Sequence, residues 1–335
     1  MHSRRWRRLF LGGIGLVLLH ALLWFAMVTW IGATVADQAT LLRERGWKVD
    51  LGAMSHGGWP FAARVGAPGL RLIHTASGNA WQSAQMDVAF DLRHPSRLDV
   101  TLTGPHVAAM AGGAPVAIEG APILVVVALA EPHRIDITAD ELGLYSAAGV
   151  VTLKALAIEA EPGADPGASA AVASDSVGLR ATVADLDLGA LLPASTLGSR
   201  LDRVVLDAGL NALKHPDPRA WRDAGGQLAL HRLALHWSRF DMELGGVIGL
   251  DANLQPEGNG MIAAGGLPEA IDAMVGAGVI PAGTARTAKA LLRLVPRTPD
   301  GKLTVPLALK DRRLSAALLP IGVLPMLRWP DMRGP

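Results

Sequence analysis

The chain has 335 residues, 50% hydrophobic and 18% charged, with 38 glycines, 22 prolines and no cysteine. Disulfide scaffolds, zinc ribbons, thiol redox motifs and cysteine nucleophiles are therefore excluded, and so much apolar surface argues against intrinsic disorder. The formal net charge of +1 is a sum of unlike parts: residues 1–36 hold Arg4, Arg5, Arg7 and Arg8 and no acid, which leaves 27 basic against 30 acidic residues from Asp37 onward, a net of −3.

The first predicted element is a membrane-spanning helix. Leu9 to Ile31 are 23 residues whose only ionisable member is His20, and as a helix they cover roughly 34 Å, enough for a bilayer core. By the positive-inside rule, the arginines in front of it keep the N-terminus cytoplasmic and export the remaining 299 residues. Trp6 and Trp30 suit the two interfaces. A cleaved signal peptide is the competing reading, since Thr34-Val35-Ala36 offers small residues before Asp37, but its apolar region would span only about 7 to 15 residues. His20 has no ionisable partner in a single span and reads as a neutral side chain facing lipid or a second copy. Gly12, Gly13 and Gly15 do not form a G-x-x-x-G pair.

Residues 37–45 continue as helix with Leu41 and Leu42 until Gly46, and the apolar period then changes to two. Met86, Val88 and Phe90, then Val100 and Leu102, then Ile135 and Ile137 alternate with polar or small residues, as Leu186 and Leu188 do later. Leu228 and Leu230 are followed by Leu233, Leu235 and Trp237. The run Pro122 to Ala130 is too short for a second span and reads as a strand buried on both faces. Gly225-Gly226, Gly245-Gly246 and Gly265-Gly266 start twenty residues apart, a spacing that fits a repeated hairpin. Glu161 to Asp175, rich in small residues and without apolar periodicity, is the linker or loop candidate. Short helices are expected near 268–295. The predicted organisation is a basic stub and anchor at 1–36, a β-rich half at 37–160, the linker at 161–175 and a second β-rich half at 176–335. The fold class is α+β and β-dominated, an N-terminal transmembrane helix before a mostly antiparallel sheet.

Catalytic and metal signatures are weak. Around Ser55 and His56 the chain reads Gly52-Ala53-Met54-Ser55-His56-Gly57, one residue too long for G-x-S-x-G, and Ser55 reads as a turn residue. His231 and His236 are five apart in a predicted strand, on opposite faces unless a bulge intervenes near Arg232. Asp87, Asp91, Asp136, Asp185 and Asp187 alternate with apolar residues, the pattern of a solvated sheet face rather than a carboxylate dyad. The aromatics beyond the anchor do not interleave with basic residues, so neither base stacking nor a nucleic-acid partner is expected. No cofactor or metal is predicted and the chain does not read as an enzyme.

Arg45-Gly46-Trp47-Lys48-Val49 and Gly57-Gly58-Trp59-Pro60-Phe61-Ala62 resemble the opening of an uncharacterised proteobacterial domain-of-unknown-function family, number 2125, in which a single membrane helix likewise comes first. Leu250 to Gly258, Lys302 to Leu307 and Ile321 to Pro325 are similar to the same family, and the ending more loosely resembles AsmA-type envelope proteins; Arg312-Arg313 stands where Asp-Gly would be expected. The resemblance implies a β-rich inner-membrane protein facing the periplasm and transfers no activity. Gly46, Trp47, Gly57, Gly58, Trp59, Pro60 and Phe61 are read as structural, with Pro60 fixing the start of a strand and the two aromatics filling the core. Aliphatic surface in this quantity must be covered, closed on itself or given to an apolar ligand. The first expectation is therefore an anchored envelope protein offering an apolar groove to lipid. The alternatives are a closed-core domain that binds other envelope proteins and, as a third, a periplasmic hydrolase.

Overall fold

The structure, a computed structural model, describes residues 2–131, 133–163, 175–191, 198–214, 217–276, 278, 280–293, 297, 301–316, 319–327 and 329. It gathers into two compact units, Met1–Glu131 and Pro132–Pro335.

The first unit begins with α1 (His2–Glu44), one continuous helix of 43 residues, or roughly 65 Å at the usual rise. It includes the predicted span and its continuation. Gly46 ends it with φ +84°, a left-handed conformation that suits a residue without Cβ, and its carbonyl accepts from the Thr75 hydroxyl at 2.8 Å. Seven strands follow: β1 (Trp47–Asp50), β2 (Ser55–Gly57), β3 (Ala62–His74), β4 (Ala80–Asp91), β5 (Arg97–Ala109), β6 (Val116–Glu119) and β7 (Ile123–Ala128). β3 is the hub, paired antiparallel with β1, β2 and β4; β4 pairs β5, and β5 pairs β6 and β7 along different stretches. Val65, Val88 and Val100 stand in register across β3, β4 and β5, as the period-two pattern requires. β7 is not buried on both faces as expected: Ile123 is 8% exposed and Leu124 36%, because only one face of this strand meets the core.

That core is built on α1. Val28 and Ile31 are 2% and 1% exposed and pack with Ala63, Val65 and Val88, with Trp24, Met27 and Val35 at the margin. The positions 24, 27, 28, 31 and 35 form one helical stripe. The expected span therefore has two faces. Leu22, Leu23, Phe25 and Trp30 stay 55% to 67% exposed, while the far side of the same turns is docked on sheet.

Among the described residues the second unit is a meander of ten strands, each hydrogen-bonded antiparallel to the next: β8 (Ile135–Ser146), β9 (Gly149–Pro162), β10 (Ser176–Asp187), β11 (Arg200–Asn211), β12 (Leu228–Trp237), β13 (Phe240–Leu250), β14 (Pro256–Gly265), β15 (Leu303–Lys310), β16 (Arg313–Ala316) and β17 (Leu319–Val323). Among the described residues it also holds α2 (Pro218–Asp223), α3 (Leu267–Gly276) and α4 (Ala282–Leu292), the last two where helices were expected. Of the 161–175 segment, residues 164–174 lie outside the described residues. Its first two residues end β9, with Pro162 opposite Val177, and the two compact units divide upstream, at Glu131.

The glycine pairs do not mark a repeated hairpin. Gly225 follows α2 and Gly265 closes β14, but Gly245-Gly246 lies inside β13, opposite Met261 and Gly260. A Cβ on Gly246 would come within 2.5 Å of the Asn259 carbonyl oxygen, and one on Gly258 within 2.1 Å of that of Val247. These glycines let two strand backbones approach closely. The β15–β16 hairpin closes on Asp311 and Arg312 with φ +49° and +63°, the paired positive values of a type I′ turn, reached here without Asp-Gly.

One apolar row crosses the second unit in an unusual way. Ala139, Leu156, Val183 and Val204 are mutually in register, while Leu142 pairs with Leu153 and Leu186 with Leu201. In each strand the two rows are three residues apart, one more than alternation allows. Glu141 and Asp185, between them, have φ +51° and +50°, and such a residue reverses which face the following side chains take. In β8 and β10 the apolar residues thereby keep to one face along strands of 12 residues.

Candidate functional site: an apolar sheet face

Downstream of that crease the same face continues across β12 to β16. Leu233 faces Leu244, Leu228 faces Ile248, Leu307 lies opposite Gly260, and Leu314 opposite Leu309. Leu230, Leu233, Leu244, Ile248, Leu307 and Leu309 are all half-buried, covered by their neighbours in the sheet and open on top. Within this face lies a cavity of about 110 Å³ lined by Leu230, Leu244, Ile248, Leu307, Leu309 and Leu314, its floor made by Gly246, Gly258 and Gly260. The close backbone approach at β13–β14 thus removes side chains where the cavity opens. The lining is almost wholly carbon, so it can exclude water and accept methylene groups but cannot hold a charge or a metal. Roughly 150 Å³ of comparable apolar cavity takes up a benzene. α3 meets the sheet at β13, and a Lys289–Asp272 contact of 2.5 Å ties α4 to it.

The other candidates are dispersed. Ser55 Oγ donates to the Gly66 carbonyl at 3.3 Å, and His56, the next residue of a strand, points to the other face. A bulge interrupts the simple alternation expected of His231 and His236: register shifts in β12 between Leu230 and Leu233, around His231 and Arg232. His236 pairs with Asp241 and lies 3.6 Å from Asp202, and no group of three metal-ligating side chains occurs among the described residues. Asp91 accepts from Arg93, which holds its carboxyl well below the usual range. Asp136 pairs with Arg134 and Asp185 with Lys154. Asp187 is held down by hydrogen bonds from the Ser199 side chain and the Gly189 N–H. Carboxylates so satisfied suit a solvated face.

A polar cluster that sequence reasoning missed lies in the first unit. His106 is 1% exposed and stacks on Trp81, ring centroids 5.5 Å apart. Trp81 Nε1 donates to Ser83 Oγ at 2.8 Å, and the Ser83 hydroxyl lies 2.9 Å from His106 Nδ1. Burial pushes the His106 pKa down. Since the folded value lies below the unfolded value near 6.5, the unfolded chain takes up the proton first. Stability is then fullest above that pH and falls as the pH drops through it toward the folded value. His106→Gln is expected to flatten this part of the pH–stability curve, measured by denaturant unfolding between about pH 7 and about pH 5; an unchanged slope would exclude His106 as its source.

Of the singled-out glycines and aromatics, Gly46 ends α1 and Trp47 packs on His74, ring centroids 4.9 Å apart. Gly57 closes β2, and Gly58, at φ +91°, makes a turn in which the Ala62 N–H donates to the Gly58 carbonyl at 2.9 Å. The Trp59–Pro60 peptide is cis. The expected core role of the aromatics does not hold: Trp59 is 55% and Phe61 67% exposed, because the turn projects beyond β3 along α1. Arg4, Arg5, Arg7 and Arg8 fall in the first turns of α1, and their side chains lie outside the described residues.

A family model described as an uncharacterized protein conserved in bacteria, DUF2125, matches residues 24–325. The chain belongs to the DUF2125 family. No curated protein and no solved structure matches it. The DUF2125 match starts inside α1 and takes in the aromatic turn, the crease and the glycine-floored cavity. In this DUF2125 chain, α1 is long and apolar enough to cross a membrane.

Proposed function

We propose that this protein is anchored in the bacterial inner membrane by α1, with its N-terminus cytoplasmic and the remainder periplasmic, and that the apolar face of its second unit receives lipid acyl chains in envelope biogenesis or maintenance. It does this by binding, without catalysis. The observation that carries the reading is the half-buried aliphatic face maintained through the crease and opening into a carbon-lined cavity over Gly246, Gly258 and Gly260. Each methylene moved from water onto such a surface gains about 0.8 kcal/mol. The arginines before the span support the topology, and the looser likeness of the closing strands to AsmA-type proteins is in keeping with an envelope role. A closed-core interaction domain would bury these leucines, whereas here they are half-exposed.

Lipid extraction from the purified full-length protein, with mass spectrometry and uptake of a fluorescent fatty acid, tests the reading. Retained phospholipid and saturable uptake are expected. A folded protein that retains none and takes up none would overturn it, and a reproducible protein crosslink through this face would favour the interaction domain.

A further inference from the structure

We infer that the β2–β3 turn, Gly57 to Ala62, is a second membrane contact, with Trp59 and Phe61 seated at the outer boundary of the bilayer that α1 crosses. The inference rests on the proposed anchoring of α1 and is independent of lipid binding by the second unit.

The turn is fixed to the helix at a definite height. His20 Nε2 lies 2.7 Å from the Pro60 carbonyl oxygen, Trp24 Nε1 donates to the Ala62 carbonyl at 2.8 Å, and the His20 and Trp59 rings meet edge to face at 6.5 Å. A carbonyl can only accept, so His20 donates. At that height the opposite side of α1 is open and apolar, with Leu19, Leu22, Leu23 and Phe25 at 55%, 67%, 57% and 61% exposure. A helix face of this kind belongs in lipid, and a turn bonded to the other side of the same residues shares its depth.

Distance along the helix sets that depth. From Arg8 the axis rises about 18 Å to His20 and about 24 Å to Trp24, against roughly 30 Å of hydrocarbon, so the turn lies about 6 to 12 Å inside the outer boundary. Trp and Phe inserted about 5–10 Å into the boundary region are the usual anchors of interfacial elements. Leu92, 44% exposed, extends the apolar tip, its N–H donating to the Phe61 carbonyl at 3.1 Å. Beside it Arg93 and Arg97, with side chains 72% and 42% exposed, stand at the β4–β5 turn where headgroup phosphates would lie.

The hydrogen bonds give the strongest argument. Irregular backbone at membrane depth is tolerated only when its polar groups are satisfied within the protein. Here three carbonyls of the turn, those of Pro60, Phe61 and Ala62, accept from His20, Leu92 and Trp24. This also gives His20, the lone ionisable residue of the apolar stretch, a function: its imidazole satisfies a turn carbonyl where water is scarce.

Because the chain lacks cysteine, single cysteines introduced as Phe61→Cys, Leu92→Cys, Leu19→Cys and Met110→Cys can each carry an environment-sensitive fluorophore. The full-length protein is reconstituted in phosphatidylethanolamine–phosphatidylglycerol vesicles containing lipid spin-labelled either near the glycerol end or near the methyl end of the acyl chain. Labels at 61 and 92 are expected to lose most of their emission to the shallow quencher and the label at 19 to the deep one, while the label at Met110, 74% exposed at the far end of β5, keeps its own with both. Quenching at 19 with none at 61 and 92 would overturn the inference and leave the anchor standing. No quenching at 19 would overturn both.

Discussion

Replacing Ile31 by alanine is expected to cost about 2–5 kcal/mol of stability, the range for truncating a fully buried aliphatic side chain. Leu23→Ala, eight residues earlier in the same helix, is expected to change stability by no more than about 0.5 kcal/mol. The two residues are equally apolar, but Ile31 is 1% exposed in the cluster with Ala63, Val65 and Val88, and Leu23 is 57% exposed. Denaturant unfolding of the full chain in detergent micelles measures both. Equal small effects would mean that α1 is surrounded by lipid or detergent along its whole length and does not belong to the core of the first unit.

The second large effect concerns the sheet face. Leu244→Asp combined with Leu307→Asp places charge on two walls of the cavity, and desolvating it against an incoming acyl chain costs about 2 kcal/mol or more, roughly a 30-fold rise in Kd. Folding should survive, since both positions are half-exposed and their carboxylates can reach water. Val247→Asp, one residue from Ile248 but on the opposite face and 39% exposed, is expected to leave affinity unchanged. Fatty-acid titration of the three proteins, with circular dichroism to confirm folding, separates the faces. Equal affinities would remove this face as the binding surface.

The alternation of Met86, Val88 and Phe90 with polar neighbours made the strands legible, because a half-buried strand repeats every two residues whatever surrounds it. The end of α1 at Gly46 was legible for an equally local reason. The docking of α1 was present only as a stripe inside a stretch that is apolar all round; Val28 and Ile31 look no different from Leu22 and Leu23 until β3 and β4 are placed beside them. The aromatic turn misled for the opposite reason. Tryptophan and phenylalanine next to proline suggest a core, and only the bonds from His20 and Trp24 show that the turn is held outside it.

The crease left a signal that simple alternation passes over. The step of three from Ala139 to Leu142 recurs from Leu153 to Leu156, from Val183 to Leu186 and from Leu201 to Val204. One such step is noise, but four that come into register across adjacent strands mark a shared change of face. The glycines of β13 and β14 are turn formers by composition, and their role as a cavity floor depends on which strand lies opposite, which no local pattern encodes. For chemistry the sequence was the better guide to what is dispersed than to what is assembled. Asp91, Asp136, Asp185 and Asp187 proved separately partnered, whereas the Trp81–Ser83–His106 cluster joins residues more than twenty positions apart through strand pairing.

A photoreactive amino acid in place of Leu244, in the full-length protein expressed in bacterial membranes, tests the central claim most directly, with the same substitution at Val247 as the opposite-face control. Covalent phospholipid adducts at 244 and none at 247 are the predicted result. Adducts at neither position, or equally at both, in a folded and membrane-inserted protein would contradict the claim that this sheet face carries lipid.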